Sequence, residues 1–221
     1  MYHNEAKEGQ MSGKLVLIRH GESEWNLQGR WTGWTDVGIT PKGAADARKM
    51  GELLQSIHFD EAYTSRLKRT VETFQNVVAT QGQPELPYKQ VEALNERDYG
   101  DYTGLNKWEV KAKVGDDKFN AIRRNYDEPI PGGETLHMVY DRVLPWYQTE
   151  LLPKLLRGEN IMLVAHGNSI RALVKYIENI SDTDIAKFEM VFGTILVYTV
   201  DESGRMVDRQ ALKAEITQTK A

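Results

Sequence analysis

Two kinds of apolar pattern alternate along this chain. The first is short and unbroken: residues 14–18 and 160–165 are apolar almost throughout and are bounded by polar or glycine residues. Such runs predict strands buried on both faces. Residues 60–64 and 194–201 read as further strands, and Glu202-Ser-Gly204 as a turn leading into a last one. The second pattern recurs at helical spacing. Thr40-Pro41 reads as an N-cap with proline at the first helical position. Ala44, Ala47, Met50, Leu53 and Leu54 then continue a helix to about Ile57. Leu67, Val71, Phe74 and Val78 fall on one face of a helix over 66–80. Residues 134–156 form a long helical pattern in which Pro145 and Pro153 predict kinks or breaks. Residues 169–180 read as an amphipathic helix.

Residues 83–87 break the pattern and 86–93 read as extended. Residues 95–131 are charged and irregular, as expected of short helices on loops, and Pro129, Pro131, Gly132 and Gly133 mark a turn. The alternation of strand and helix implies an α/β fold. It is expected to be a three-layer sandwich: a mostly parallel sheet flanked by helices. A small helical and loop cap, about 95–133, would lie over the carboxyl edge. One domain spans 14–213; residues 1–13 read as a disordered extension and 214–221 as a tail. The trio Trp25, Trp31 and Trp34 in the glycine-rich stretch 26–39 reads as packing rather than as stacking platforms.

Composition narrows the chemistry. The 221 residues include no cysteine, which excludes disulfides, thiolate metal sites and a cysteine nucleophile. The formal charge of −4 argues against a general nucleic-acid or membrane-surface binder. No apolar run approaches the roughly 20 residues that span a bilayer. The polar start lacks the apolar core of a signal peptide. A cytoplasmic setting is expected.

One internal similarity carries more. Leu15-Val-Leu-Ile-Arg-His20-Gly-Glu-Ser23 resembles Ile161-Met-Leu-Val-Ala-His166-Gly-Asn-Ser169. Each is a buried strand running into His-Gly, which puts the histidine at the carboxyl edge where open α/β sheets bind ligands. The glycines would let backbone N–H groups approach an anion. If the strands are neighbours, His20 and His166 face each other. A lone histidine there would read as a strand cap; two such ends argue for chemistry. A metal would usually recruit a third ligand at a recognisable spacing, and none is seen. Arg19 beside His20 suits a phosphate instead, because guanidinium is planar, always charged and bidentate. A neutral imidazole can then attack phosphorus, provided a hydrogen bond on one ring nitrogen leaves the other unprotonated.

The block Leu17-Ile-Arg19-His20-Gly-Glu-Ser-Glu-Trp-Asn26 resembles the opening motif of the histidine phosphatase superfamily. Further blocks resemble its phosphoglycerate mutase branch, which requires 2,3-bisphosphoglycerate. They are Arg30-Trp-Thr32-Gly33-Trp34, Thr64-Ser-Arg-Leu-Lys-Arg69, Leu94-Asn-Glu96-Arg-Asp-Tyr99-Gly100, Gly104-Leu-Asn-Lys107, Arg123-Arg124 and Ala165-His166-Gly167-Asn168-Ser-Ile-Arg-Ala-Leu. The resemblance spans about 14–200. It implies that His20 is the phosphorylated nucleophile, with Arg19, Arg69 and His166 around the transferring group and Asn26 donating to it. Glu96 would be the general acid and base. Ser23, Thr32 and Gly33 would bind substrate; Tyr99 and Lys107 would hold its carboxylate or hydroxyl end, and Arg123 and Arg124 its distal charge. Gly167 and Asn168 would belong to the same site.

It further implies interconversion of 3- and 2-phosphoglycerate, with 2,3-bisphosphoglycerate as priming donor and no metal. Partners would be small phosphoglycerates, not nucleic acid or membrane; a homo-oligomer is left open. Alone, Arg69 would read as a surface residue, Glu96 as a loop carboxylate paired with Arg97, and Arg123-Arg124 as a solvated pair. His3, His58 and His137 read as bystanders. Long forms of the branch carry an insertion that is missing between Arg124 and Gly133-Glu-Thr-Leu136, the tail after Val200 looks short, and Asp98 stands where many members have His. A site with less cover would favour hydrolysis of the phosphohistidine. The rivals are a phosphatase of the same superfamily and a catalytically dead phosphate binder. Either way, five cations of an acidic protein, Arg19, Arg69, Lys107, Arg123 and Arg124, should gather at one pocket.

Overall fold

A computed structural model describes residues 12–216. Its centre is the pair of strands expected from the unbroken apolar runs: β1 (Leu15–Arg19) and β4 (Ile161–Ala165). They are parallel neighbours, paired from Leu15↔Ile161 to Arg19↔Ala165. β2 (Glu61–Thr64) and β3 (Tyr88–Gln90) continue the parallel set on one side. β5 (Thr194–Val200) and β6 (Met206–Lys213) are antiparallel on the other, giving the order β3-β2-β4-β1-β5-β6.

The three layers follow from strand alternation. Leu15, Leu17 and Leu163 face one way, against α6 (Leu136–Trp146), α7 (Leu152–Leu156) and α8 (Gly167–Ile177). Val16, Ile18, Met162 and Val164 face the other, against α2 (Pro41–Glu52) and α3 (Lys68–Gln81). Both faces of β1 and β4 are therefore covered, which is why neither strand tolerates a polar residue in its interior. The stretch 95–133 carries α4 (Lys107–Val114) and α5 (Asp116–Arg124). They close over a satellite cluster of Trp31, Tyr99, Val110, Phe119, Ile122 and Ile130.

Several boundaries move for identifiable reasons. Thr40 caps α2 as expected, its Oγ1 accepting the Gly43 N–H at 3.0 Å, but the helix stops at Glu52 and yields to turns before Ile57. The buried face of α3 includes Thr70, Thr73, Phe74, Val77 and Val78, so Val71 sits at its margin. Pro145 and Pro153 do not end the long helix. A widened turn over Tyr147–Leu151, in which Leu152 N–H reaches back five residues to Tyr147 O, joins α6 to α7. α8 starts at Gly167, two residues before expectation, because Ser169 Oγ accepts the His166 N–H at 3.1 Å. It ends at Ile177, where Asn179 adopts φ +52° and turns the chain out of the helix.

The ends of the described chain are tied in. Ser12 Oγ accepts the Val200 N–H at 2.9 Å and Gly13 N–H donates to Leu155 O at 2.7 Å. Ala214 N–H donates to Gly193 O at 2.9 Å. The remainder of the expected extension, 1–11, and of the tail, 217–221, lies outside the described residues. Among the described residues no helix is long and apolar enough to cross a membrane.

Candidate active site

The register of β1 on β4 builds the site. Arg19↔Ala165 is the last rung, so His20 and His166 leave the sheet side by side at its carboxyl edge. Their ring centroids are 5.0 Å apart and both side chains are buried. His20 Nδ1 lies 2.7 Å from Gly21 O. A carbonyl only accepts, so Nδ1 donates and Nε2 keeps its lone pair. Burial, then the charges of Arg69 and Arg19, hold the His20 imidazole well below its ordinary pKa, so the ring is neutral at pH 7. His166, with Nε2 2.7 Å from Ser65 Oγ, is lowered well below by burial and then by Arg69 and His20.

Gly21 departs from expectation. Its N–H is not offered to an anion; it donates to Thr73 Oγ1 at 2.9 Å. The glycine is needed for packing, since a Cβ there would stand 2.6 Å from Gly43 O in the first turn of α2.

All five singled-out cations line one cleft, open to solvent, and Arg30 and Arg171 join them. Two carboxylates, Glu96 and Glu189, face these seven charges. Arg69 is fully buried and far from a surface residue: its two terminal nitrogens donate to Thr35 O (3.0 Å) and Gly33 O (2.9 Å). Gly33 turns its carbonyl to that fork at φ +50°, in the left-handed region. Arg19 donates to Met190 O at 2.9 Å and lies 3.8 Å above the Phe192 ring. Arg19 Nε, Arg69 Nε and Thr32 Oγ1 are buried with no hydrogen-bond partner among the described residues. Buried donors are normally paired, and all three belong to residues that line the cleft.

Glu96 is held rather than loosely exposed. Its Oε1 accepts from Arg97 N–H (2.8 Å), Asn168 N–H (3.2 Å) and Asn168 Nδ2 (3.0 Å). The Glu96–Arg97 ion pair, which Glu96 taken alone would have suggested, does not form. The Arg97 guanidinium instead donates to Ile122 O at 2.7 Å and lies over Tyr99. A Cβ at Gly167 would lie 3.9 Å from both the Arg19 guanidinium and Glu96 Oε2, in ordinary contact with each, so Gly167 stands between the two charged groups. Asn168 also donates to Tyr99 OH at 3.0 Å, which makes it an organiser of Glu96 and Tyr99 as well as a lining residue. Lys107 is mostly buried; burial, then Arg123 and Arg19, bring its pKa down to about 8.

Asn26 lines the cleft. Ser23 Oγ donates to its Oδ1 at 2.8 Å, leaving the NH2 end to donate. Ser23 itself is fully buried as the N-cap of α1 (Glu24–Leu27), and it does not line the cleft. Its place is behind Asn26. Tyr99, Thr32, Gly33, Arg123, Arg124 and Gly167 all line the cleft. His137 pairs with Asp127 and His58 lies elsewhere, so both are bystanders as expected; His3 lies outside the described residues. Asp98 binds backbone, accepting from Gly100 N–H at 2.9 Å.

Several participants were missed. Trp34 is 41 % exposed and donates Nε1–H to Glu96 O at 2.6 Å. It fixes the Glu96 backbone, a role distinct from core packing. Arg142 reaches the same carbonyl at 3.0 Å from α6. Thr73 and Ser65 support the two histidines from α3 and the loop before it. Arg171 lay inside the quoted Ser-Ile-Arg block and could have been found there; Glu189, on an unpatterned loop, carried no signal.

The sequence model of the histidine phosphatase superfamily (branch 1) matches residues 15–212. A Parvibaculum lavamentivorans protein named 2,3-bisphosphoglycerate-dependent phosphoglycerate mutase is 43 % identical over 91 % of this chain and 97 % of its own length. A Cytophaga hutchinsonii protein of the same name is 47 % identical over 83 % and 86 %. Among solved structures, Bacillus stearothermophilus YhfR is similar with a TM-score of 0.77 at 26 % identity, covering 93 % of this chain and 96 % of its own. A Bacillus anthracis phosphoglycerate mutase shares the fold with a TM-score of 0.68 at 23 % identity, covering 92 % and 93 %.

Proposed function

The chain belongs to the histidine phosphatase superfamily (branch 1), and on that premise we propose that it interconverts 3-phosphoglycerate and 2-phosphoglycerate by phosphoryl transfer through His20. The observation that carries this reading is the His20 ring, neutral, with Nε2 unprotonated, lining a cleft together with seven cations. The names of relatives more than 40 % identical support the choice of substrate.

The lone pair on His20 Nε2 attacks phosphorus in line. The P–O bond breaks with its electron pair on the departing oxygen, and Glu96 supplies the proton that oxygen takes. In the return step Glu96 accepts the proton of the attacking hydroxyl while phosphorus moves from Nε2 to that oxygen. Arg19 and Arg69, each fixed by backbone carbonyls, stabilise charge on the equatorial oxygens, the main demand of phosphoryl transfer. Lys107, Tyr99, Arg123 and Arg124 hold the rest of the substrate.

When bound, 2,3-bisphosphoglycerate supplies the phosphoryl group that primes His20. The cleft-lining residues Arg19, Arg69 and Thr32, which carry unpartnered buried donors, would hold one of its phosphates, and the outer cations the other. A cytoplasmic setting and free small-molecule substrates belong to the same reading.

An enolase-coupled assay with and without 2,3-bisphosphoglycerate, run beside a phosphate-release assay, tests it. Isomerisation that depends on the bisphosphate is expected. Phosphate release without isomerisation would replace the mutase by a phosphatase. Intact mass after exposure to the bisphosphate should show one acid-labile phosphate, lost in His20→Ala.

A further inference from the structure

Glu189 is a carboxylate in a cleft built for polyanions. It sits on the segment between Asp184–Lys187 and β5, and this segment wraps the cleft's edge: Met190 O and the Phe192 ring both hold Arg19. Glu189 Oε2 accepts from Arg124 at 2.7 Å, and its side chain is 45 % exposed. One of the seven cations is thus already neutralised by the protein. Burial would raise the Glu189 pKa, but Arg124, Arg123 and Arg19 outweigh it and hold the group below the usual carboxylate range, so it stays charged near neutrality.

Its partner is a residue that the function proposed above assigns to the substrate's distal charge. An incoming anion must share Arg124 with Glu189 or displace it. It must also sit within the field of a fixed negative charge that solvent only partly screens. Both penalties grow with the charge the ligand places in the outer cleft. With one phosphate at His20, a monophosphoglycerate brings its carboxylate, about −1; the bisphosphate brings a carboxylate and a second phosphate, close to −3 at pH 7.

We propose that Glu189 is a displaceable internal anion that sets which ligand charge the cleft retains, weakening the bisphosphate more than the monophosphates. Resting on the function proposed above, this gives the bisphosphate a route out of a site that would otherwise trap it. It also raises the bisphosphate concentration needed for priming.

The test compares His20→Gln with His20→Gln/Glu189→Gln by calorimetry, since His20→Gln blocks transfer during the titration. Coupling of an exposed ion pair corresponds to roughly threefold per unit charge. Removing the Glu189 charge should therefore tighten 3-phosphoglycerate about threefold and 2,3-bisphosphoglycerate on the order of 30-fold. Glu189→Asp, which keeps the charge, should leave the ratio of the two constants near that of the parent. Equal factors for both ligands, or weaker binding of either, would overturn the proposal and leave Glu189 a loop anchor.

Inorganic phosphate and pyrophosphate serve as a parallel pair, with pyrophosphate expected to gain more from Glu189→Gln. If His20→Gln binds neither phosphoglycerate, the proposed substrate is wrong. The pyrophosphate-to-phosphate ratio then still decides the role of Glu189.

Discussion

Thr73 does not line the cleft, yet its hydroxyl is tied to the segment that carries His20. Its Oγ1 accepts the Gly21 N–H at 2.9 Å and donates to Arg69 O at 2.7 Å, and the side chain is fully buried. Gly21 in turn holds His20 through its carbonyl. Thr73→Val keeps the shape and removes only the hydroxyl. The Gly21 N–H is then left buried without a partner, a cost of about 1–3 kcal/mol, partly offset by roughly 0.8 kcal/mol from the added apolar methyl. A net loss of about 0.2–2.2 kcal/mol is expected, seen as a fall in Tm of roughly 2–4 °C per kcal/mol for a domain of this size.

The same change should slow phosphorylation of His20. Gly21 is no longer fixed on its N–H side, so the imidazole is aimed less well. The loss of one hydrogen bond, about 0.5–1.5 kcal/mol, corresponds to roughly 2- to 12-fold in rate. Single-turnover phosphorylation reads the rate, equilibrium binding of 3-phosphoglycerate should hardly change, and urea unfolding reads the stability. Thr73→Ser should restore both stability and rate. The reasoning is refuted if Thr73→Val unfolds at the wild-type urea midpoint and is phosphorylated at the wild-type rate.

Further expectations follow from the charges and the packing. His20 and His166 are both lowered in the folded state, so unfolding takes up protons once the pH falls below the ordinary 6.5, and stability drops in that direction. Stability should therefore fall between pH 7.5 and pH 5.5. His166→Gln should lessen that fall in urea titrations at the two pH values, and an unchanged pH dependence would show that His166 does not titrate this way. Lys107, at about 8, loses its charge as the pH rises. Binding of 3-phosphoglycerate should therefore weaken by about tenfold from pH 7 to 9, whereas Lys107→Arg should flatten the profile; a wild-type profile already flat would remove the lysine from the site. Gly43→Ala would place a Cβ 2.3 Å from Glu22 O. Because backbone must shift, it should destabilise the domain by about 1–3 kcal/mol, and a Tm equal to wild type would show that the α2 contact yields freely.

The placement of the two histidines at the strand ends was legible because it is local. An unbroken apolar run followed by His-Gly specifies both a buried strand and where its last side chain emerges, and Arg19 and Arg69 travelled with quotable blocks. The helices were legible for the same reason, as periodicity and capping are written within a few residues. Tertiary structure alone decided the rest. Register across residues 15 and 161 brought the two rings to 5.0 Å. The Gly21 carbonyl chose the His20 tautomer. Ser23 was withdrawn behind Asn26, and Trp34, Arg142 and Asn168 were drawn onto Glu96. These are pairings between distant segments. A hydrogen bond depends on where a donor ends up once the core has packed, and neither the spacing nor the type of the residues encodes that position by itself.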